Sequence, residues 1–295
     1  MADEQPPFPT PVLPYHRKAY PAIDPTRPEL SSKGKSIFIT GAGSGIGAEV
    51  ASAFAKSGAA HIGLGGRRLP NLEETKAKIA SSHPNVKVHI FQADIADEKS
   101  ITEAVASFAS QTDSGKIDVL VANAGYSAPG GTVDKFDPEE LKRNFEINVF
   151  GQFNTLRAFH PLAAPGAVVV HTTTGLVHTS PFPGQVAYQS SKLAATRIFD
   201  AFRSENPEIR VIQFHPGLPV TDIYSTISKY AGPIPTDDID LSGAFAVWAA
   251  SPEAAFLDGR LVWASWDIDS LKAQASELSA DPFKYTVGLL GFPKF

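Results

Sequence analysis

From residue 33 onward the chain repeats one alternation: a short continuous apolar run, a cluster of turn residues, then a longer stretch whose apolar residues recur every three or four positions. Unbroken apolar runs of this length fit strands buried on both faces, and the longer period fits helices that cover them. Runs at 35–40, 60–64, 86–92, 117–121, 167–171 and 209–214 predict six strands, and 260–264 predicts a last one. Helical stretches lie between them, among them Ala48-Glu-Val-Ala-Ser-Ala-Phe-Ala-Lys56. The pattern predicts an α/β fold, a parallel sheet covered by helices, in a single domain spanning 33–270. There is no internal repeat.

Both ends break the alternation. Residues 1–32 hold eight prolines, too many for a helix or an inner strand, and predict an extended arm. Phe8, Tyr15 and Tyr20 could pin it to the core or to a partner subunit; the alternative for its first dozen residues is a mobile tail. Residues 271–295 read as a helix followed by Val287-Gly-Leu-Leu-Gly-Phe-Pro-Lys-Phe295, a tail too apolar to lie free in water.

Composition narrows the function classes. At 295 residues and 43% hydrophobic, the chain can bury one large core and has little room for a second domain. A net charge of −5 with no basic patch makes nucleic acid and anionic membranes poor partners. No run approaches the roughly 18 apolar residues of a membrane span. The absence of cysteine excludes disulfides, thiol catalysis and thiolate metal sites. Met1-Ala-Asp-Glu lacks the apolar segment of a secretory signal, and Pro293-Lys-Phe295 is not the peroxisomal S-K-L ending, so the cytoplasm is the expected location.

Two local patterns carry chemistry. Lys35-Ser-Ile-Phe-Ile-Thr40 reads as a strand and is followed at once by Gly41-Ala-Gly-Ser-Gly45-Ile-Gly47 and a helix. In that context Gly41 makes the tight turn, Gly45 leaves room for a pyrophosphate at the helix N-terminus, and Gly47 lets the helix close on the strand. Further on, Tyr188-Gln-Ser-Ser-Lys192 places a phenol and an ammonium on one helix face. Bringing a phenol from about 10 to about 7 requires roughly 4 kcal/mol. A cation about 4–5 Å away at an effective dielectric near 20 supplies about that much. Tyr188 could then exchange a proton with an alcohol or a ketone.

The spacing T-G-x-x-x-G-x-G, together with Tyr188 and Lys192, resembles the short-chain dehydrogenase/reductase family. Further matches follow in the family's order: Asp94 after the third strand, Asn123-Ala124-Gly125 after the fourth, and Asn148-Val-Phe-Gly151 on a helix. Thr172-Thr-Thr174 follows the fifth strand, and Pro216-Gly217 with Thr221 the sixth. The resemblance covers about 33–265 and implies a Rossmann-type doubly wound parallel sheet of seven strands in the order 3-2-1-4-5-6-7. It also implies a lid over the substrate at 221–241, where Tyr224, Ile227, Tyr230 and Gly232-Pro-Ile-Pro235 fall; the alternative is a surface loop. The segment 256–267 and the proline-rich opening look most like fungal members, many of them in secondary metabolism.

An NAD-preferring site carries a carboxylate at the end of the second strand. Here Gly66-Arg67-Arg68 stands instead, and a guanidinium donates a fork of hydrogen bonds to a 2′-phosphate. NADP is the expected cofactor, with Arg67 the first contact and Arg68 the second. By resemblance Asp94 meets the adenine amino group and the backbone around Asn123, Ala124 and Gly125 the adenosine ribose, while Gly41, Ser44, Gly45, Ile46, Gly47, Ile95, Pro216, Gly217 and Thr221, with Tyr188 and Lys192, are the other expected cofactor-binding residues. Ala122 stands where many members have an asparagine, which removes one supporting hydrogen bond. No metal is implied.

In the family tyrosine exchanges the proton, lysine lowers its pKa and holds the nicotinamide ribose, serine steadies the substrate oxygen, and asparagine supports a water relay. Tyr188, Lys192 and Asn148 match directly. The serine is replaced by threonine, and counting back from Tyr188 favours Thr174, with Thr173 as the alternative. Threonine keeps the hydroxyl but adds a methyl that stiffens χ1 and narrows the pocket. Pro129, Phe182, Pro219, Tyr224 and Tyr230 are candidate pocket residues, and their apolar character suggests a fairly apolar, polycyclic or lipid-like substrate; His178 could also touch substrate, the alternative being a bystander in its loop. The implied activity is NADP(H)-dependent interconversion of a carbonyl and an alcohol. A non-redox isomerase, dehydratase or cyclase, or an idle NADP-binding protein, stays open beside it. The resemblance also implies a homodimer or homotetramer through helices around 138–160 and 186–203, where Leu193, Ile198, Phe199 and Phe202 put apolar residues on more than one face; the alternative is a monomer.

Overall fold

The computed structural model describes residue 6, residues 8–231 and residues 235–289, with the side chains at 230 and 231 outside that description. In chain order the elements are β1 Ser36–Thr40, α1 Gly45–Lys56, β2 His61–Gly66, α2 Leu69–Ser82, β3 Lys87–Gln92, α3 Glu98–Ser110 and β4 Ile117–Ala122. There follow α4 Pro138–Phe145, α5 Gly151–Phe159, β5 Ala163–Thr172, α6 Val186–Glu205, β6 Arg210–His215 and α7 Asp222–Ala231. α8 Ile239–Ala250, β7 Arg260–Trp263, α9 Ile268–Ala273 and α10 Ala275–Ala280 complete the described chain. The strands form one parallel sheet in the order β3-β2-β1-β4-β5-β6-β7, the order implied above.

Each inner strand is apolar throughout because both of its faces are covered; all five residues of β1 are buried. One face packs on α1 and α8, and the other on Phe108 of α3, Phe159 of α5 and Phe199 of α6. β5 begins at Ala163, earlier than the apolar run at 167–171, and its pairing with β4 shifts register between Ile117 and Val119. The strand extends there without full burial, since Ala163 and Ala164 are half-buried and Pro165 and Gly166 are exposed.

α8 explains the arm. Every residue from 241 to 250 is buried, so this helix needs cover on all sides. Gly243 lets it approach α1: a Cβ there would lie 2.9 Å from Glu49 Cγ. The arm joins the same core, where Val12, Ile23 and Leu30 are buried and the Ala19 N–H donates to Asp240 Oδ1 at 3.0 Å. From Phe8 onward the arm is docked on its own chain, extended but for single 3-10 turns at Pro21–Ile23 and Pro28–Leu30. At the other end the Arg260 guanidinium donates to the carbonyls of Leu278, Pro282 and Lys284 at 2.7–2.9 Å and ties down the turn after α10. Val287 packs on the core, and residues 290–295 of the apolar tail lie outside the described residues. No helix among the described residues is long and apolar enough to cross a membrane.

Candidate active site

The strand order reverses between β1 and β4, and a cleft of about 640 Å³ opens at their carboxyl ends, as open α/β sheets require. Its floor is a small hydrogen-bonded knot. Thr40 Oγ1 accepts from the N–H groups of Asn123 at 3.0 Å and Ala124 at 3.1 Å, while Asn123 Nδ2 donates back to the Thr40 carbonyl at 3.1 Å. The support expected to be missing at Ala122 is supplied by this exchange one residue on.

Above the floor, the glycine loop fits a closely approaching backbone. A Cβ at Gly47 would overlap the Gly41 carbonyl oxygen and lie 2.6 Å from Asn123 Nδ2, so only glycine lets α1 start where it does. Gly41, Ser44, Gly45 and Ile46 line the cleft, and Gly47 lies behind them in the packing of helix on strand. Arg67 and Arg68 line its far end. Arg68 Nη2 donates to Ser44 Oγ at 2.9 Å, and Arg67 Nη1 lies 3.8 Å from Asp94 Oδ2. Both guanidiniums are more than half exposed, so these contacts are weak and the two cations can turn to an anion.

Asn148 sits in a π-helical turn, Glu146–Phe150, between α4 and α5. Such turns place side chains that an ideal helix would point elsewhere. Its amide is fully engaged: Oδ1 accepts from the Tyr126 N–H at 2.8 Å, and Nδ2 donates to the Tyr126 carbonyl at 2.7 Å and to Ser191 Oγ at 3.0 Å. Ser191 Oγ in turn donates to the Tyr188 carbonyl at 3.0 Å. Asn148 therefore does not line the cleft but stands behind it and holds the first turns of α6 in place.

Those turns present Tyr188 and Lys192, both buried and both lining the cleft. Lys192 Nζ donates to the Thr172 carbonyl at 2.9 Å. Burial brings the Lys192 pKa down to about 8 and pushes the Tyr188 phenol well above its ordinary value. The lowering of the phenol expected from the neighbouring lysine is thus not found in the free protein, where burial disfavours both charged forms. Gly125 makes room for the cation: a Cβ there would lie 3.3 Å from Lys192 Nζ and 3.4 Å from Asn148 Oδ1.

The threonines separate by strand alternation. Thr173 Oγ1 lies 3.1 Å from Thr196 Oγ1 and so turns toward α6. Thr174 Oγ1 accepts from the Leu176 N–H at 3.3 Å, which leaves its own proton available for a substrate oxygen.

Asp94, Ile95, Asn123, Ala124, Pro216, Gly217 and Thr221 line the same cleft, as do Pro219 and Tyr224 of the expected pocket. Tyr230 lies outside the described side chains, and Gly232-Pro-Ile234 outside the described residues. Three other expected pocket residues do not line the cleft. Pro129 is exposed. The Phe182 ring packs edge-on against Phe8 of the arm at 6.3 Å. His178 Nε2 accepts from Trp263 Nε1 at 2.9 Å, held by an aromatic pair rather than facing substrate. The apolar lining comes instead from 218–227, with Leu218, Val220, Ile223 and Ile227. In this stretch Thr226 Oγ1 lies 2.8 Å from Ser127 Oγ on the opposite wall.

Sequence reasoning missed Ser127, Tyr126, Ser191 and His215. His215 lines the cleft at the end of β6, and burial holds its pKa at about 3, so it is neutral. Its place immediately before Pro216-Gly217, and the place of Ser191 beside Lys192, were the available signals. The burial that decides their roles has no signature in one sequence.

Comparison with known proteins gives the family. A family model described as short chain dehydrogenase matches residues 35–231. A curated relative, the short chain dehydrogenase/reductase nsrO of Aspergillus novofumigatus, is 32% identical over 96% of this chain and 97% of its own. Among solved structures, a 3-ketoacyl-(acyl-carrier-protein) reductase from Brucella melitensis complexed with NADH has a TM-score of 0.71 and 27% identity, covering 79% of this chain and 97% of its own. An alcohol dehydrogenase from the archaeon Thermococcus sibiricus complexed with 5-hydroxy-NADP has a TM-score of 0.68 and 26% identity, covering 78% and 95%. With the sheet order, the glycine loop and the Tyr188–Lys192 face all in place, the chain belongs to the short-chain dehydrogenase/reductase family.

Proposed function

We propose that the protein is an NADP(H)-dependent oxidoreductase that interconverts a carbonyl and an alcohol on a fairly apolar small molecule. The observation that carries this reading is that Tyr188, Lys192 and Thr174 line one cleft together with the glycine loop and with Arg67 and Arg68. The side-chain-free backbone of Gly41, Gly43 and Gly45 along the cleft fits the close approach of a dinucleotide's phosphates. When bound, the nicotinamide supplies or accepts the hydride.

The chain's own residues do the rest. Tyr188 donates a proton to the substrate oxygen in reduction and takes one back in oxidation. Lys192, held by the Thr172 carbonyl, places a positive charge beside the phenol and the oxygen where negative charge develops. Thr174 contributes a hydroxyl donor to the same oxygen. Asn148 and Ser191 fix the helix that carries the pair. Arg67 and Arg68 favour a 2′-phosphate, because both guanidiniums are more than half exposed and only weakly held by Asp94 and Ser44. Leu218, Pro219, Ile223 and Ile227 supply an apolar wall suited to a bulky apolar substrate.

The exposed side chains of Phe150 and Phe153 on one helical rod and of Leu193 on α6 support pairing with a second copy. Light scattering should give the mass of a dimer or tetramer; the mass of one 31.4 kDa chain would count against pairing.

Binding tests the cofactor first. NADPH should bind more tightly than NADH, and Arg67→Asp should reverse the order; equal binding by the unmodified protein would remove the role given to the arginines.

Tyr188→Phe should abolish ketone reduction while leaving NADPH binding nearly intact. Thr174→Val should slow reduction by about 10²-fold or more, the usual cost of one lost donor at a developing oxyanion. Thr173→Val should matter far less, since that hydroxyl faces α6. Product formed by the Tyr188→Phe protein without cofactor consumption would point to non-redox chemistry.

The pH dependence has a definite sign. The reductive kcat/KM reports groups of the free enzyme. It should be level in weak acid and fall as pH rises through about 8, where Lys192 loses its charge, while the raised phenol keeps its proton throughout. A profile level to pH 10 would contradict the part assigned to Lys192.

A further inference from the structure

The wall of the cleft at 216–219 is held from behind by residues remote from it in sequence. Asp237 and Leu218 form a reciprocal pair: the Leu218 N–H donates to Asp237 Oδ2 at 2.8 Å, and the Asp237 N–H donates to the Leu218 carbonyl at 3.2 Å. Gly217, at φ +86°, passes so close that a Cβ would lie 2.7 Å from Asp237 Oδ2. The other carboxylate oxygen of Asp237 accepts from Arg17 Nη1 at 3.2 Å, and the Asp237 side chain has no exposure at all. Arg17 belongs to the N-terminal arm. Its Nη1 also reaches the Pro235 carbonyl at 3.3 Å, and its own carbonyl accepts from the Asp238 N–H at 2.6 Å.

The same arm also packs beside the loop that follows Thr174. Phe8 packs edge-on against Phe182 and against Trp263, and Trp263 holds His178 in the loop that joins Thr174 to α6. Between these contacts the arm is fixed by Tyr15, which pairs with Trp266, and by His16 Nε2, 3.0 Å from Asp267 Oδ1.

From this arrangement we propose that Arg17 is a positioning residue for nucleotide binding: by holding Asp237 it sets the 216–219 turn that forms one wall of the cofactor cleft. A buried carboxylate keeps its charge and its direction only while a cation faces it. Without Arg17 the Asp237 carboxylate loses the cation that faces its Oδ1, and the Oδ2 that accepts from the Leu218 N–H is held less firmly. The arm is then part of the active site rather than a covering for α8 alone. The inference rests on the proposed dinucleotide function for its effect on binding, but not for its effect on the turn.

The test uses the full chain with Arg17→Met, with Arg17→Lys as the conservative variant, and with Arg17→Met/Asp237→Asn, which leaves no orphan charge if the single variant fails to fold. Well below the melting temperature, the Arg17→Met protein should bind NADPH about tenfold more weakly, the scale of one hydrogen bond to a charged group. Its nucleotide KM should rise by a similar factor while kcat at saturating nucleotide changes little. Arg17→Lys should restore binding. Amide exchange, read without any ligand, should be about tenfold faster at Leu218 in the Arg17→Met protein, with the β4 amides unchanged. A lowered melting temperature with unchanged Kd and unchanged Leu218 exchange, in the single or the double variant, would reduce Arg17 to a stabilising residue and overturn the proposal. If Leu218 exchange accelerates but the unmodified protein binds neither NADPH nor NADH, the strap stands and the cofactor reading is the one that fails.

Discussion

The site hangs on one geometric constraint: β1 and β4 are neighbours whose chains leave the sheet toward opposite faces, so their ends must part without leaving buried peptide groups unpaired. The Thr40 hydroxyl meets that demand by accepting two N–H groups of 123–124, and Asn123 returns a donor to Thr40. This cross-link holds the floor of the cleft open at a fixed width. The glycine loop then starts α1 against it, and Asn123 Nδ2 occupies the space that a side chain at Gly47 would need.

The second constraint is electrostatic. Lys192 and Tyr188 are both removed from water, and the Thr172 carbonyl is the lysine's protein partner at hydrogen-bond distance. An unfolded chain keeps the lysine protonated up to its ordinary value of 10.5, whereas the folded one releases the proton near 8. Below about pH 8 the buried cation therefore costs stability, and the cost fades as pH rises from the folded value toward the unfolded one. The site thus carries a destabilising charge, and the proposed chemistry gives it a use: a positive field beside a phenol in a place that water does not screen.

The arm and α8 form a third unit. A helix buried on every side cannot serve as the outer layer of a two-layer fold, so α8 demands a further covering, and the proline-rich opening supplies it. Proline suits that task because an arm laid over side chains, rather than paired in a sheet, has no ladder of N–H groups to complete. Its two 3-10 turns fall where Pro21 and Pro28 begin them.

Much of this was legible in one sequence. The seven apolar runs and their alternation with helical stretches determined the layered α/β architecture, because period and burial are properties of local sequence. The glycine spacing and the Tyr188–Lys192 interval determined the class of chemistry, since both operate across one turn of backbone. What only the tertiary structure decided is where distant residues meet. Phe182 and His178 lie beside the site in sequence, yet pack on Phe8 and Trp263; Asn148 points behind the cleft through a π turn; and Arg17 reaches Asp237 across more than two hundred residues. The sign of the Tyr188 shift was also beyond the sequence, because the burial that raises it belongs to the packed fold and not to the four-residue spacing.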